Sequence, residues 1–235
     1  ESVMAKSWNK KIFKQIDEQV NKASKDLAEE RGACPDAAEY GYKERFSNKT
    51  AIAPTASISI ICGGASPGVE PIAANSYTHK TLSGSFNVRN RYLEEILDNY
   101  GKNDDETWST ITTNQGSVSH LDFLSSDEKD TFKTAFEIDQ RWIVELGADR
   151  TPHISQAQSV NVFVPADIHK KELHEIHFQA WKKGLKSLYY CRSKSIQRAE
   201  NVTAGASTDV TKNVYSNSKE SNNKDNNYEE CLSCQ

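Results

Sequence analysis

Two cysteines three positions apart, Cys231 and Cys234, stand in the closing stretch "YEECLSCQ". A Cys-x-x-Cys pair can supply half of a zinc site or exchange with a disulfide. A structural zinc knuckle would need two more ligands at similar spacing, and Cys34, Cys62 and Cys191 are single and distant. A thioredoxin-like motif would open a helix after a strand, whereas this pair ends a polar segment. What remains is a dithiol carried on a tether, suited to thiol–disulfide exchange at more than one place.

Three other stretches carry groups that could do chemistry. "PTASIS", Pro54 to Ser59, lacks the Lys and Gly spacing of a P-loop, yet it offers consecutive backbone N–H groups beside the hydroxyls of Thr55, Ser57 and Ser59. That is an anion cradle in outline, or an ordinary Ser/Thr-rich turn. Tyr189 and Tyr190 are adjacent at the end of an expected strand, so their side chains should point to opposite faces, one into a core and one outward. His174 and His177 in "HEIH" lie one helical turn apart and could form half a metal site. No acidic or cysteine ligand stands at zincin or finger spacing, so they read as a solvated helix face and no metal site is expected. Cys34 and Cys62 read as buried small side chains.

These groups need elements to hold them. Trp8, Ile12, Ile16, Val20, Ala23 and Leu27 recur at spacings of four and three, which predicts a helix over about 7–31 with one apolar face and a stop at Gly32. "TAIAPTASISIICGGASPGVEP" reads as strand, loop, strand or short helix, and loop. Leu93, Ile96, Leu97 and Tyr100 share a face of a short helix over 90–100 that stops at Gly101. Ser125 stands three residues before Glu128, a capping-box spacing, and opens one helix running to Gly147. In "QSVNVFVPA" the alternation sets Val160, Val162 and Val164 on one side of a strand and Ser159, Asn161 and Phe163 on the other. Asp167 can cap a helix to about Lys183, closed by Gly184, and "KSLYYCR" follows as a strand. Strand, helix and strand with short links predict a right-handed crossover between parallel strands. The fold class is α/β, with no internal repeat.

Composition narrows the function classes. Among 235 residues, 29 Lys+Arg against 33 Asp+Glu give a net charge of −4, which supplies no basic field for nucleic acid. No apolar run approaches a membrane span and the N-terminus has no signal-peptide core, so a cytoplasmic protein without a membrane partner is expected. Five cysteines, unevenly spaced, argue against a disulfide framework. Mean hydropathy is low, at −0.72. Part of the reason is the stretch "NVTAGASTDVTKNVYSNSKESNNKDNNYEE" from Asn201 to Glu230, which cannot bury enough apolar area to offset an ordering cost of roughly 1–2 kcal/mol per residue. Residues 1–200 therefore read as the folded part and 201–235 as a flexible, disordered tail carrying the cysteine pair.

Taken in order, "GACP", "APTASISIICGGASPGVEP", "THKTLSGSF", "QSVNVF", "LYYCRSKS" and "ECLSCQ" closely resemble the C-terminal third of the large, catalytic subunit of class I ribonucleotide reductase. The resemblance covers almost the whole chain apart from the tail's spacer. It implies the C-terminal portion of a ten-stranded α/β barrel built of two half-barrels. "PTASIS" matches the loop whose amides bind the phosphates of a ribonucleoside diphosphate, so Thr55, Ala56, Ser57, Ile58 and Ser59 inherit that role. Tyr189 and Tyr190 match two stacked tyrosines that carry a radical inward from the small subunit, whose metal cofactor generates it. This chain itself is then expected to bind no cofactor. Cys231 and Cys234 match the dithiol that re-reduces the active-site disulfide and is itself reduced by thioredoxin or glutaredoxin.

The family's thiyl-radical cysteine, its companion Asn and Glu, the two cysteines oxidised by substrate and the nucleotide-binding regulatory domain all lie upstream of the matched stretches. The resemblance therefore implies a split-subunit piece or fragment that works only with a separate N-terminal part. Two other readings compete with it. One is a non-catalytic thiol carrier or small-subunit-binding module, and the other is an unrelated small α/β thiol oxidoreductase.

Overall fold

The computed structural model describes residues 1–62, 66–81 and 84–193. It opens with helix α1, Val3–Arg31, capped by Ser2, whose Oγ accepts from the Ala5 amide at 3.0 Å, and ended by Gly32 at φ 80°. The helix is the expected one with an extra turn at its start. Its docking face is not the expected apolar stripe, for Trp8, Ile12 and Ile16 remain 58%, 48% and 41% exposed. The helix packs through polar side chains instead. Lys6 Nζ reaches Glu145 Oε2 at 3.0 Å, Asn9 Nδ2 donates to the Leu146 carbonyl at 3.0 Å, and His153 Nδ1 lies 3.3 Å from Asp17 Oδ2. Near its end, the buried Ser24 Oγ accepts from the amides of Arg45 and Phe46. A period of 3.6 reveals a helix and its apolar stripe, but not which surface covers the stripe.

Short helices α2, Pro35–Glu39, and α3, Ala56–Ile61, precede an antiparallel pair, β1, Ser76–Thr81, with β2, Gly84–Arg89, registered from Ser76 opposite Arg89 to Thr81 opposite Gly84. No strand was expected here. Helices α4, Arg91–Asn99, and α5, Asp105–Thr113, follow, and α5 had no strong apolar period to announce it. Leu93, Leu97, Trp108, Ile111, Val118, Leu121 and Leu124 form the first core. Asn75, 1% exposed, ties it to the rest by donating to the carbonyls of Gly116 and Phe132 at 2.9 and 2.7 Å. Gly116 is required there, since its φ is +82° and a Cβ would fall 2.4 Å from that of Ala74.

The single helix expected from Ser125 to Gly147 is two. α6, Ser126–Thr131, has the expected capping box, but it ends at Phe132, and α7, Gln140–Arg150, starts afresh with Asp139 as its cap. Between them, Glu137 Oε2 accepts from both the amide and the hydroxyl of Thr134 at 2.8 Å. Side chains of this kind offer the backbone a local alternative to helix, and here that alternative won.

After a 3-10 turn, Thr151–His153, come β3, Val162–Val164, α8, Lys170–Lys182, and β4, Cys191–Ser193. His169 rather than Asp167 caps α8, and Gly184 closes it at φ 79°. β3 and β4 pair in parallel, as the strand–helix–strand pattern predicted, with Val162 opposite Cys191. Ile52 adds a parallel bridge to Gln158, so a third chain segment runs alongside. Val144, Val162, Val164, Ile176 and Ala180 make the second core. Phe163, on the other face of β3, is also buried and meets the Phe136 ring edge-on at 5.2 Å. A strand covered on both faces is what a parallel wall requires. Among the described residues, no helix is long and apolar enough to cross a membrane.

Arg150, 4% exposed at the end of α7, joins these parts. Its Nε donates to Gln158 Oε1 at 3.0 Å and its Nη1 to Asn9 Oδ1 at 3.2 Å, and its guanidinium lies 5.5 Å from the Phe13 ring centroid. Gln158 Nε2 donates in turn to the Gly147 carbonyl and to Thr151 Oγ1. Arg150→Met keeps much of the volume but strands buried acceptors. It should lower stability by about 2–4 kcal/mol in urea unfolding, and a midpoint equal to wild type would show that the cluster does not hold the fold.

Candidate functional site

The bridge at Ile52 places "PTASIS" beside the segment that leads into β3. Ile52 N donates to the Ala157 carbonyl at 3.2 Å and Ser159 N to the Ile52 carbonyl at 2.8 Å. The next residues turn into α3. Of the five amides in the expected cradle, two are committed within the protein: Thr55 N donates to the Pro67 carbonyl at 2.9 Å and Ser59 N to the Thr55 carbonyl at 2.8 Å. Ser59 Oγ is also engaged, donating to the Ala56 carbonyl at 2.7 Å, and the residue is 7% exposed. The amides of Ala56, Ser57 and Ile58 belong to the first turn of α3, where no intrahelical acceptor exists.

On the other side of the same segment stand the tyrosines. Tyr189 N donates to the Val160 carbonyl at 2.8 Å, and the Tyr190 carbonyl accepts from Val162 N at 2.9 Å. Tyr190 N departs from the ladder pattern and donates to the side-chain Oδ1 of Asn161 at 3.1 Å. β4 proper starts only at Cys191, so the strand expected over "KSLYYCR" is shorter and the two tyrosines precede it. Pleat alternation does not separate them. Their ring centroids lie 4.1 Å apart at 51°, and the phenol oxygens 3.4 Å apart, longer than a normal O–H···O bond. The expectation of one buried and one exposed ring is thereby corrected, since the rings touch and are 42% and 38% exposed. Arg192 sits with Cζ 5.4 Å from the Tyr190 ring centroid.

Two further residues complete the arrangement, and neither was singled out as a candidate in the sequence. Asn161 Nδ2 donates to Glu70 Oε1, and Glu70 is 5% exposed. Burial pushes the Glu70 carboxyl above its ordinary range, against the opposing pull of Asn161 and Arg192. The available signals were slight: one amide among the valines of a strand, and one acid in "GVEP" amid Gly, Val and Pro.

Of the other candidates, Cys34 is half-buried and Cys62 is exposed, so Cys62 is not the buried small side chain expected. Partial burial of its sulfur pushes the Cys191 thiol up, which makes its thiolate scarcer. His174 and His177 are exposed on α8, with His174 stacked on Phe178 and His177 Nδ1 2.8 Å from the Leu173 carbonyl. No group of three or more His, Cys, Asp or Glu among the described residues is placed to hold a metal. Cys231, Cys234 and the expected tail over 201–235 lie outside the described residues.

The model of the ribonucleotide reductase barrel domain matches residues 36–191. The chain belongs to the ribonucleotide reductase family. It is 43% identical over 244 aligned residues to the ribonucleoside-diphosphate reductase large subunit of Invertebrate iridescent virus 6, covering 98% of this chain and 25% of the viral protein. To the ribonucleoside-diphosphate reductase large subunit of Caenorhabditis elegans it is 36% identical, over 64% of this chain and 19% of that one. Among solved structures, the class Id ribonucleotide reductase alpha subunit of Actinobacillus ureae superposes with a TM-score of 0.75 at 37% identity, covering 83% of this chain and 35% of that one. The chain thus spans from under a fifth to about a third of the length of these relatives. Its parallel wall is part of an α/β barrel-type fold.

The buried Glu70 makes stability depend on pH with a definite sign. Its folded pKa lies above the unfolded value of about 4.5, so between the two the native state holds a proton that the unfolded chain has released. Stability conferred at low pH is therefore lost as pH rises through that window. Urea midpoints of wild type and Glu70→Gln, compared from about pH 4 to 8, should show wild type losing ground to the variant as pH rises. Parallel curves would mean that the carboxyl is not desolvated.

Proposed function

We propose that this chain is part of a ribonucleoside-diphosphate reductase large subunit and takes part in the reduction of ribonucleoside diphosphates to deoxyribonucleoside diphosphates by radical chemistry. The contact between Tyr189 and Tyr190, with phenol oxygens 3.4 Å apart, carries this reading. A phenol gives up a proton and an electron together, so a hydrogen atom passing from one tyrosine to the other's phenoxyl oxygen leaves the first as the radical and the second reduced. No charge is left behind in the protein. Phenols in contact can relay a radical too energetic to hold as a free charge, and their exposure leaves them open to a partner subunit that supplies it.

The remaining roles follow from the same reading. The first-turn amides at Ala56, Ser57 and Ile58, which lack an intrahelical acceptor, would receive the substrate's phosphates, with Thr55 and Ser59 holding the turn. Cys231 and Cys234 would carry reducing equivalents from thioredoxin or glutaredoxin to a disulfide inside the barrel, which a bulky reductase cannot enter. The partners of the reading are the N-terminal part of the large subunit, completing the ten-stranded barrel and bringing the thiyl-radical cysteine, and the small subunit with its metal-generated radical. A cytoplasmic setting belongs to the same proposal.

Two experiments test it. Tyr189→Phe or Tyr190→Phe in the assembled enzyme keeps the ring packing and removes the oxidisable O–H. Deoxynucleotide formation should fall to background while assembly and diphosphate binding persist, and substantial turnover in either variant sinks the relay. Changing both Cys231 and Cys234 to Ser should leave the melting temperature unchanged, because a dithiol on a tether constrains no folded loop. Turnover with thioredoxin or glutaredoxin should stop after about one cycle, and dithiothreitol, small enough to enter the barrel, should restore much of it. Normal turnover of the double variant with the protein reductant would remove the shuttle.

A further inference from the structure

Residues 66–70 link the two halves of the site and have no role in the reading above. Pro67 accepts from the amide of Thr55, at the start of α3, and Ser66 Oγ donates to the Glu70 carbonyl at 3.0 Å. The turn directs the Glu70 side chain inward. Gly68 leaves room for it, since a Cβ there would fall 2.8 Å from Glu70 Oε1. Asn161 then bridges, its Nδ2 donating to that same oxygen and its Oδ1 accepting from Tyr190 N. Glu70 Oε2 is buried without a hydrogen-bond partner among the described residues. The charged groups that face the carboxyl are Arg192, which also sits over the Tyr190 ring, and Arg150.

An amide side chain is nearly symmetric in shape and opposite in polarity at its two ends. Turned over, Asn161 would set its NH2 group against the Tyr190 N–H and break the bond that holds this peptide. An acceptor at Glu70 Oε1 claims the NH2 group and leaves the carbonyl for Tyr190. The orientation of Asn161 is therefore decided by Glu70.

The geometry points to Glu70 as a positioning residue for the tyrosine pair: its carboxyl orients the Asn161 amide, the amide fixes the Tyr190 peptide, and the two phenols keep their contact. Its relevance to turnover rests on the radical-relay reading, because only a relay makes the spacing of the phenols matter.

The test uses the full 235-residue chain with tyrosine labelled by 13C at Cζ, the two resonances being assigned with Tyr189→Phe and Tyr190→Phe. Glu70→Ala and Asn161→Ala are expected to shift both phenol resonances and to speed exchange of the Tyr190 amide by at least about tenfold. Glu70→Gln retains an acceptor oxygen and should keep wild-type resonances and exchange, a rescue that no general loss of folding would show. Gly68→Ala drives a methyl group at the Glu70 carboxyl without deleting a polar group, and should reproduce the shift even if Glu70→Ala fails to fold. Unchanged resonances and exchange in Gly68→Ala and Asn161→Ala overturn the proposal, as does a Glu70→Gln variant that behaves like the alanine one. None of these measurements reads turnover. An active Tyr190→Phe enzyme would remove the relay and leave the positioning intact, whereas unaltered rings would do the reverse.

Discussion

The described fold depends on one buried cation. Arg150 is drawn out of water far enough for burial to push its guanidinium down to about 10, still charged at neutral pH. A charge in that setting is tolerated only if its donors are engaged and opposite charge is near. Gln158 and Asn9 accept from it, the Phe13 ring lies beside it, and Glu70 and Asp149 contribute the negative field. These partners come from α1, from α7 itself and from the segments at 70 and 158. Satisfying one side chain therefore brings α1, the end of α7, the turn at 66–70 and the segment at 158 to a common point.

The site inherits its geometry from that point. Gln158, held by Arg150, bridges to Ile52, and the chain on from Ile52 opens the turn that starts α3. Three residues after Gln158 comes Asn161, which meets Glu70 on one side and the Tyr190 peptide on the other. Amides that could receive phosphate and phenols that could pass a radical thus follow from segments bonded to opposite edges of the stretch 157–162. Two apolar cores support this arrangement, one under α4 and α5 and the other between α7, α8 and β3. Neither core supplies a polar group to the site, and the links from Glu70 through Asn161 to the Tyr190 peptide are hydrogen bonds.

The three chemical tasks proposed for this chain make different physical demands. A relay needs rigid contact between rings, and the Tyr189 and Tyr190 backbones are bonded to the strand beside them. A phosphate cradle needs donors left unused, and the first turn of a helix has them by construction. A reductant shuttle needs reach, which a polar tether provides by raising the effective concentration of its dithiol near the barrel. The relatives that the chain matches are longer than it is, the chain covering 25% of the viral large subunit and 35% of the solved alpha subunit, and the apolar stripe of Trp8, Ile12 and Ile16 on α1 stands exposed.

What the sequence by itself determined was local or chemical. The period of α1, the capping box of Ser125 and Glu128, the stop at Gly184 and the parallel crossover into β4 follow from side-chain spacing and backbone preference, which act over a few residues. The quoted motifs also placed the chain in its family. Tertiary structure decided the rest, because each outcome depended on a partner far away in the chain. α1 turned a polar face to α7 because Glu145, Asp149 and Arg150 were there to receive it. The expected helix over 125–147 broke because Glu137 captured Thr134. Tyr189 and Tyr190 came together, against the alternation expected of a strand, because the Asn161 side chain took the amide that a ladder carbonyl would otherwise have received. Glu70 gained its place only through burial beside Asn161, more than ninety positions along the chain, and no pattern of neighbouring residues records a contact of that span.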